Sequence, residues 1–308
     1  MRDDLGMRDS LKVTVCTPTY NRANVLHRVF DSLKTQTYKN FEWIVIDDGS
    51  QDDTEKVIEL FKQKSEIDIK YFYQKNQGKH NALNNAVNMA SGELFVIADS
   101  DDSFLPNSLE VFVETWLSIP EQERKKYKGI SCRCVDENGM LIGNTSFESN
   151  YLDISELDYR YKKKYTGELW GAIRTDVMRE FPFPKVRGLR FYPEVVIWDN
   201  MAKKYLTRYI NDGLRIYYQD QEDATTFSKE NTRYKENYYL WLHYINDIWE
   251  YRRYDRKQFC KALIGISRDG LLSGKKKKDV IKDIQRKNIK YLILLTRWVG
   301  FFMAKFDI

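Results

Sequence analysis

Cysteine is scarce. Cys16, Cys132, Cys134 and Cys260 are the only four in 308 residues, too few and too scattered for a disulfide framework, so a reducing cytoplasm is the expected environment. Net charge is small as well. Lys and Arg total 50 against 45 Asp and Glu, and the resulting +5 creates no overall field that would argue for a nucleic-acid partner. Long apolar runs are missing: residues 289–306 come nearest, but Lys290, Arg297 and Lys305 interrupt them, which speaks against a clean membrane span. The opening MRDDLGMRDSLK lacks the apolar stretch of a secretory signal. Several nucleotide and metal motifs are also absent. No G-x-G-x-x-G follows the first predicted strand, Gly274-Lys275 lacks the remaining P-loop positions, and no EF-hand spacing occurs. His27, His80 and His243 are dispersed, and Cys132-x-Cys134 lacks partner ligands, so core packing is the reading for that pair.

What remains is the balance of an ordinary enzyme: 42% hydrophobic and 31% charged residues in a chain long enough to bury a proper core, which excludes disorder for most of it. Residues 11–102 alternate short β-rich runs with amphipathic helical windows. VTVCTP at 13–18, FEWIVI at 41–46, Ile69–Tyr73 and LFVIA at 94–98 read as strands. Between them Leu26, Val29, Phe30 and Leu33 share one helical face, Asp52 and Glu55 form a capping-box-like start, and Ala82, Leu83, Ala86, Val87 and Ala90 repeat the helical period. This predicts a doubly wound α/β half. A helix through Trp116 follows, then less regular strands such as GISCRCV with a DENG turn at 136–139. From about residue 229 to 308 the chain reads as a helical extension, with GKKKK at 274–278 separating two helical windows.

Carboxylates fall where the strands end. Asp47 and Asp48 follow WIVI; Asp99, Asp101 and Asp102 follow LFVIA. In an open α/β sheet ligands bind beyond the carboxyl ends of the strands, so both clusters are expected to face one crevice. Gathered carboxylates repel, and a hard divalent cation relieves the repulsion. Mg2+ or Mn2+ takes one or two carboxylates and leaves its remaining positions to phosphates and waters, which implies a phosphorylated anionic substrate.

VTVCTPTYNR at 13–22, SLKTQTYKNFEWIVIDDGSQDDT at 32–54, NQGKHNALNNAV at 76–87 and ASGELFVIADSDD at 90–102 together resemble family 2 of the inverting nucleotide-sugar glycosyltransferases. The resemblance implies a GT-A fold: one α/β domain over 1–228 with a Rossmann-like, mainly parallel central sheet flanked by helices, its nucleotide-binding half at about 11–102 and its acceptor-binding half at about 103–228. It further implies that Pro18, Thr19 and Tyr20 line the base and ribose pocket, that Asp48 reads the nucleobase, that Asp99 and Ser100 face the ribose and diphosphate, and that Asp101 holds the metal. Asp102 is left as a supporting or helix-capping residue. A carboxylate at Asp48 suits the N3–H donor of uracil, which suggests a UDP-sugar. Lys79, opening a helix with His80, is placed to approach phosphate, with solvated helix entry as the alternative.

An inverting transfer needs a base for the acceptor hydroxyl. RFYPEVVIWDNMAKKY at 190–205 resembles the family's acceptor-side segment, which makes Glu194 the candidate and Asp199 the reserve; the competing role for Glu194 is stabilisation of a helix start. The competing function classes are a noncatalytic nucleotide-sugar or glycan-binding relative and a nucleotidyltransferase, the latter disfavoured because TPTYNRAN carries no glycine for a triphosphate loop. Arg297-Trp298 occurs without the glutamine-containing motif of processive synthases, which points to addition of one residue to a glycan or lipid-linked acceptor in surface polysaccharide synthesis. In the last helix Leu292, Leu295, Val299, Phe302 and Phe306 oppose Lys290, Arg297 and Lys305. With Lys275 to Lys278 upstream, that pattern suits a peripheral helix at the cytoplasmic face of a membrane, packing on its own domain, or pairing in a homo-oligomer.

Overall fold

The computed structural model describes residues 10–143, 147–189, 191–218 and 233–306. The first nine residues, the boundary expected near residue 228 and the side chains of Leu295, Arg297, Lys305 and Phe306 lie outside the described residues. Contacts divide the chain into two units, Met1–Lys185 with Met201–Gln221, and Val186–Asn200 with Glu222–Ile308. Sequence reading places a single boundary, whereas the structure also assigns 186–200 to the helical unit. The cause is long-range pairing: Tyr192 packs on Tyr239 at 5.7 Å between ring centroids, and Asp199 meets His243 at 2.9 Å.

In the first unit β1 (Val13–Thr19), β2 (Phe41–Asp47), β3 (Asp68–Tyr73) and β4 (Leu94–Ile97) pair in parallel, as the alternation predicts. Helices α1 (His27–Lys34), α2 (Thr54–Lys64) and α3 (Lys79–Met89) intervene. β5 (Ser103–Phe104), α4 (Ser108–Leu117), β6 (Tyr127–Val135), β7 (Tyr151–Ile154), β8 (Leu169–Arg174) and β9 (Leu206–Ile216) follow. The described residues form a nine-stranded sheet in the order β3-β2-β1-β4-β8-β6-β9-β5, with β7 on β9. β8 runs antiparallel to both β4 and β6, so the sheet is parallel in its first half and mixed in its second.

Burial explains why β1 and β2 read as continuous apolar runs: all seven residues of each are buried. Val13, Val15, Trp43 and Val45 share a core with Leu26, Phe30, Ile58 and Phe61, where the Phe30 and Phe61 rings stack at 4.0 Å. Helix α3 presents the small buried side chains Ala82 and Ala86 toward β1 and β2, which lets it lie close. Cys132 and Cys134 are buried core residues, as expected. Register then positions the site. Thr19 lies opposite Asp47, so β1 and β2 end level, and Ile97 lies opposite Cys16, so β4 stops short of them beside the point where the strand order reverses.

The second unit comprises the first seven residues of α5 (Glu194–Ala202), α6 (Tyr234–Asn246), a 3-10 turn (Trp249–Arg253), α7 (Arg256–Leu272), α8 (Lys277–Asp283) and α9 (Lys287–Phe306). Tyr238, Ile245, Ala262, Ile266, Val280, Ile284, Ile289 and Ile293 form its core. Gly265 permits close approach, since a Cβ there would lie 2.6 Å from the Trp241 indole nitrogen. The lysine run is less of a separator than expected, because Lys277 and Lys278 open α8. In α9 two apolar stripes compete for the interior. The helix turns Ile289, Ile293 and Gly300 inward, and leaves Leu292, Val299 and Phe302 exposed together with Tyr291 and Trp298. Equal periodicity serves both stripes, and packing against α7 selects between them.

Candidate active site

The loops at the strand tips are built by the motif's own side chains. Asp47, buried at the end of β2, accepts from the Ser50 backbone N–H at 2.7 Å and from the Tyr71 hydroxyl at 2.7 Å. Gly49 has φ +91°, and a Cβ there would meet the Asn76 nitrogen at 2.9 Å, so glycine is required in that turn. Asp52 accepts from the Ala23 N–H at 3.0 Å and from the Thr54 hydroxyl at 2.6 Å. It therefore joins the loop after β2 to the loop after β1 as well as serving the start of α2. Asn21 reinforces the join: its N–H donates to Ser50 Oγ at 2.9 Å, and its Oδ1 accepts from the Gln51 N–H at 2.8 Å.

Asp48 is buried and holds a second loop. One oxygen accepts from Gln74 Nε2 at 2.7 Å and the Gln77 N–H at 2.8 Å, the other from the Gly78 N–H at 2.7 Å. A carboxylate has about four lone-pair sites, so three donors leave capacity for one more. Its backbone N–H donates to the Thr19 carbonyl at 2.8 Å, which brings the tips of β1 and β2 together. The Thr19 hydroxyl is buried and has no hydrogen-bond partner among the described residues. Pro18 is buried beside it, and Tyr20 is exposed at the rim.

Past β4 lies the charged part. Lys79, the first residue of α3, places its ammonium 2.7 Å from Asp99 Oδ1. Arg215 on β9 reaches Asp99 Oδ2 at 3.2 Å and also pairs with Asp102. Burial pushes the Asp99 carboxyl up, but Lys79 and Arg215 outweigh it and hold Asp99 well below the usual carboxylate range. Burial raises Asp102, with Asp99 and Asp101 adding to the rise against the pull of Arg215. Lys79 and Arg215 thus engage Asp99 and Asp102, and neither pairs with Asp101. Ser100 is buried between them in sequence, and Asp101 is half-buried. The Asp101 carboxylate has no hydrogen-bond or ion-pair partner among the described residues, while its backbone carbonyl accepts from Arg28 Nη1 at 3.0 Å.

Among the described residues no three His, Cys, Asp or Glu side chains converge as a closed cage. One carboxylate with open positions is nevertheless how Mg2+ and Mn2+ sit beside substrate phosphates. The unpaired Asp101 carboxylate fits such an ion.

Sequence reasoning missed Arg215 and Arg28. Arg215 follows Asp99 by 116 residues, and its only local signal is that it is the second arginine, after Arg208, in one strand. Arg28 lies over the Tyr218 ring at 3.9 Å and holds the loop at 99–102 by donating to the Asp101 carbonyl. Glu194 and Asp199 belong to the second unit. Glu194 is half-buried in the first turn of α5, whereas Asp199 is fully buried and accepts from His243 Nε2 at 2.9 Å. Burial lowers the His243 pKa, but Asp199 and Asp247 outweigh it and raise it overall, which keeps the Asp199 carboxylate engaged.

Residues 14–122 match the model of "Glycosyl transferase family 2". Over that stretch the chain is similar to that family. The GalNAc(5)-diNAcBac-PP-undecaprenol beta-1,3-glucosyltransferase of Campylobacter jejuni is 29% identical over 230 residues, spanning 73% of this chain and 70% of that protein. Glycosyltransferase GlyA of Streptococcus pneumoniae is 33% identical over 186 residues, and an uncharacterized Rickettsia bellii glycosyltransferase 36% over 147. The chain spans only 26% and 20% of those two relatives. Among solved structures, S. aureus TarS 1-349 in complex with UDP-GlcNAc superposes with a TM-score of 0.62 at 16% identity, covering 96% of this chain and 90% of that one. The Pyrobaculum calidifontis mannosyltransferase PcManGT, in complex with GDP-Man and Mn2+, gives 0.57 at 17% identity, covering 97% and 89%. The chain has the GT-A fold, and the relatives it resembles are glycosyltransferases. Among its described residues no helix is long and apolar enough to cross a membrane.

Proposed function

We propose that the chain moves a sugar, with inversion, from a UDP-linked donor to a hydroxyl of a lipid-linked glycan at the cytoplasmic face of a membrane. One observation carries this reading: the tips of β1, β2 and β4 bring the Asp48 loop, the unsatisfied Thr19 hydroxyl, the Lys79–Asp99–Arg215 group and the unpaired Asp101 to one end of one sheet. Asp48 accepts the uracil N3–H with its remaining lone pair. Pro18, Thr19 and Tyr20 bracket the base and ribose, and Ser100 and Asp99 face the ribose and diphosphate. Lys79 and Arg215 orient the diphosphate and exchange part of their pairing with Asp99 for phosphate oxygens.

Asp101 is the residue that would hold Mg2+ or Mn2+, which when bound supplies positive charge against the negative charge growing on the leaving diphosphate. Glu194 takes the acceptor proton as the hydroxyl attacks. It is favoured over Asp199 because Glu194 is only half-buried, whereas Asp199 is buried on His243. The Campylobacter relative acts, by its name, on an undecaprenol-linked glycan, and the exposed Tyr291, Trp298, Val299 and Phe302 of α9 suit a membrane surface. The test is release of nucleotide from a panel of UDP- and GDP-sugars, with and without Mn2+ and a polyprenyl-linked glycan. Metal-dependent, acceptor-stimulated UDP release is the expected result, and release that neither metal nor any acceptor changes sinks the proposal.

A further inference from the structure

The second unit contains a cavity of about 600 Å3 that the proposed sugar chemistry does not use. Its size falls within the roughly 300–1,000 Å3 of small-molecule sites. Phe259 and Leu263, both buried, and the half-buried Trp249 supply an apolar wall, while Arg252, Arg253 and Arg256 supply the charge. None of these three arginines pairs with a carboxylate among the described residues. The nearby acids are otherwise engaged: Glu250, which also lines the cavity, pairs with Arg286 at 2.7 Å, and Asp255 caps α7 by accepting from the Gln258 N–H at 3.0 Å. Arg252 is held by donating from Nη1 to the Trp249 carbonyl at 3.1 Å, with its guanidinium 5.3 Å from the Trp249 ring.

Three guanidiniums, set against the single carboxylate of Glu250, stand beside a buried apolar wall and complement a ligand that is doubly anionic at one end and hydrocarbon beyond it. Guanidinium forks suit phosphate oxygens, and the wall suits a chain. We propose that this cavity binds the diphosphate end of a lipid diphosphate, with the phosphates on Arg252, Arg253 and Arg256 and the first hydrocarbon units against Trp249, Phe259 and Leu263. The inference rests on the lipid-linked acceptor of the proposed function and deepens it, because it gives the acceptor's lipid end a place in the chain.

Cys260 provides a local reporter, since it lines the cavity and is the one exposed cysteine, the other three being buried. The experiment follows alkylation of Cys260 by a maleimide in the full chain, with UDP and Mn2+ saturating so that the donor site is filled. Farnesyl diphosphate should slow alkylation at least tenfold and saturably, while inorganic pyrophosphate, farnesol and phosphatidylglycerol vesicles at matched concentration should leave it unchanged. The combined Arg252→Gln, Arg253→Gln and Arg256→Gln variant, altered only at exposed positions, should lose the protection and keep its UDP affinity. Equal protection by pyrophosphate, by farnesol or by the vesicles overturns the proposal, as does protection that survives the triple variant. The two readings fail separately: a chain that binds no UDP and transfers no sugar defeats the functional proposal whatever Cys260 does, and a chain that transfers sugar with Cys260 unprotected defeats only this one.

Discussion

The two ends of the parallel sheet treat carboxylates in opposite ways. Where the strands begin, Glu42 is fully buried, and its oxygens accept from Thr14 Oγ1, the Ser91 N–H and hydroxyl, Lys12 and Lys70, all within 3.2 Å. Where the strands end, the Asp101 carboxylate, the Thr19 hydroxyl and Arg215 Nε have no hydrogen-bond partner among the described residues. A closed network returns its electrostatic energy to folding. An open one leaves desolvated groups for a ligand to satisfy, as an anion and its metal would. A carboxylate is therefore closed into the fold at Glu42 and left open at Asp101.

The sharpest way to break this contrast is a pair of isosteric changes. Asp101→Asn should lower UDP release roughly 100- to 1,000-fold, the usual cost of about 3–4 kcal/mol for one preorganised electrostatic contact, with a melting temperature like that of the wild type. Turnover within a few fold of the wild type would refute the role given to Asp101. Glu42→Gln should do the reverse, costing about 2 kcal/mol in a urea titration because it removes the charged acceptor from a fully buried hydrogen-bond network, while the folded fraction keeps its turnover. An unchanged urea midpoint would show that the closed network is not structural.

A pH titration refines the same comparison. Burial alone would raise the Glu42 pKa, but Lys70, Thr14 and Ser91 hold it at about 2, below its ordinary 4.5. Because the folded pKa is depressed, the stability it confers is present above about 4.5 and drains away as pH falls toward about 2. Chemical denaturation between pH 5 and 2.5 should show that decline in the wild type and a shallower one in Glu42→Gln; parallel curves would contradict the assignment. Smaller still, Arg215→Lys keeps the charge but loses the planar guanidinium whose Nη2 meets both Asp99 and Asp102, and should raise the donor KM by roughly tenfold, or about 1.4 kcal/mol. A KM unchanged in steady-state assays would remove Arg215 from the diphosphate site.

Local pattern makes much of this molecule legible in its amino-acid sequence. Alternating apolar runs and helical windows locate β1 to β4, and the position of Asp48, Asp99 and Asp101 just past apolar strands locates the site, because strand tips are where an α/β sheet exposes its ligands. What cannot be read that way depends on contacts between distant residues. Arg215 is distant in sequence from its partners Asp99 and Asp102. Residues 186–200 join the helical unit through Asp199–His243, a pair no local period encodes. The inward face of α9 is equally hidden, because Leu292, Val299 and Phe302 repeat as regularly as Ile289 and Ile293 do, and only packing on α7 distinguishes them.

The central claim, that the tips of β1, β2 and β4 form one donor pocket, is tested most directly by anomalous scattering from a crystal of this chain grown with UDP and Mn2+. The account predicts one manganese peak at coordination distance from the Asp101 carboxylate, with uracil against Asp48 and the diphosphate between Lys79 and Arg215. A manganese peak elsewhere, or UDP bound on another face of the sheet, would contradict it.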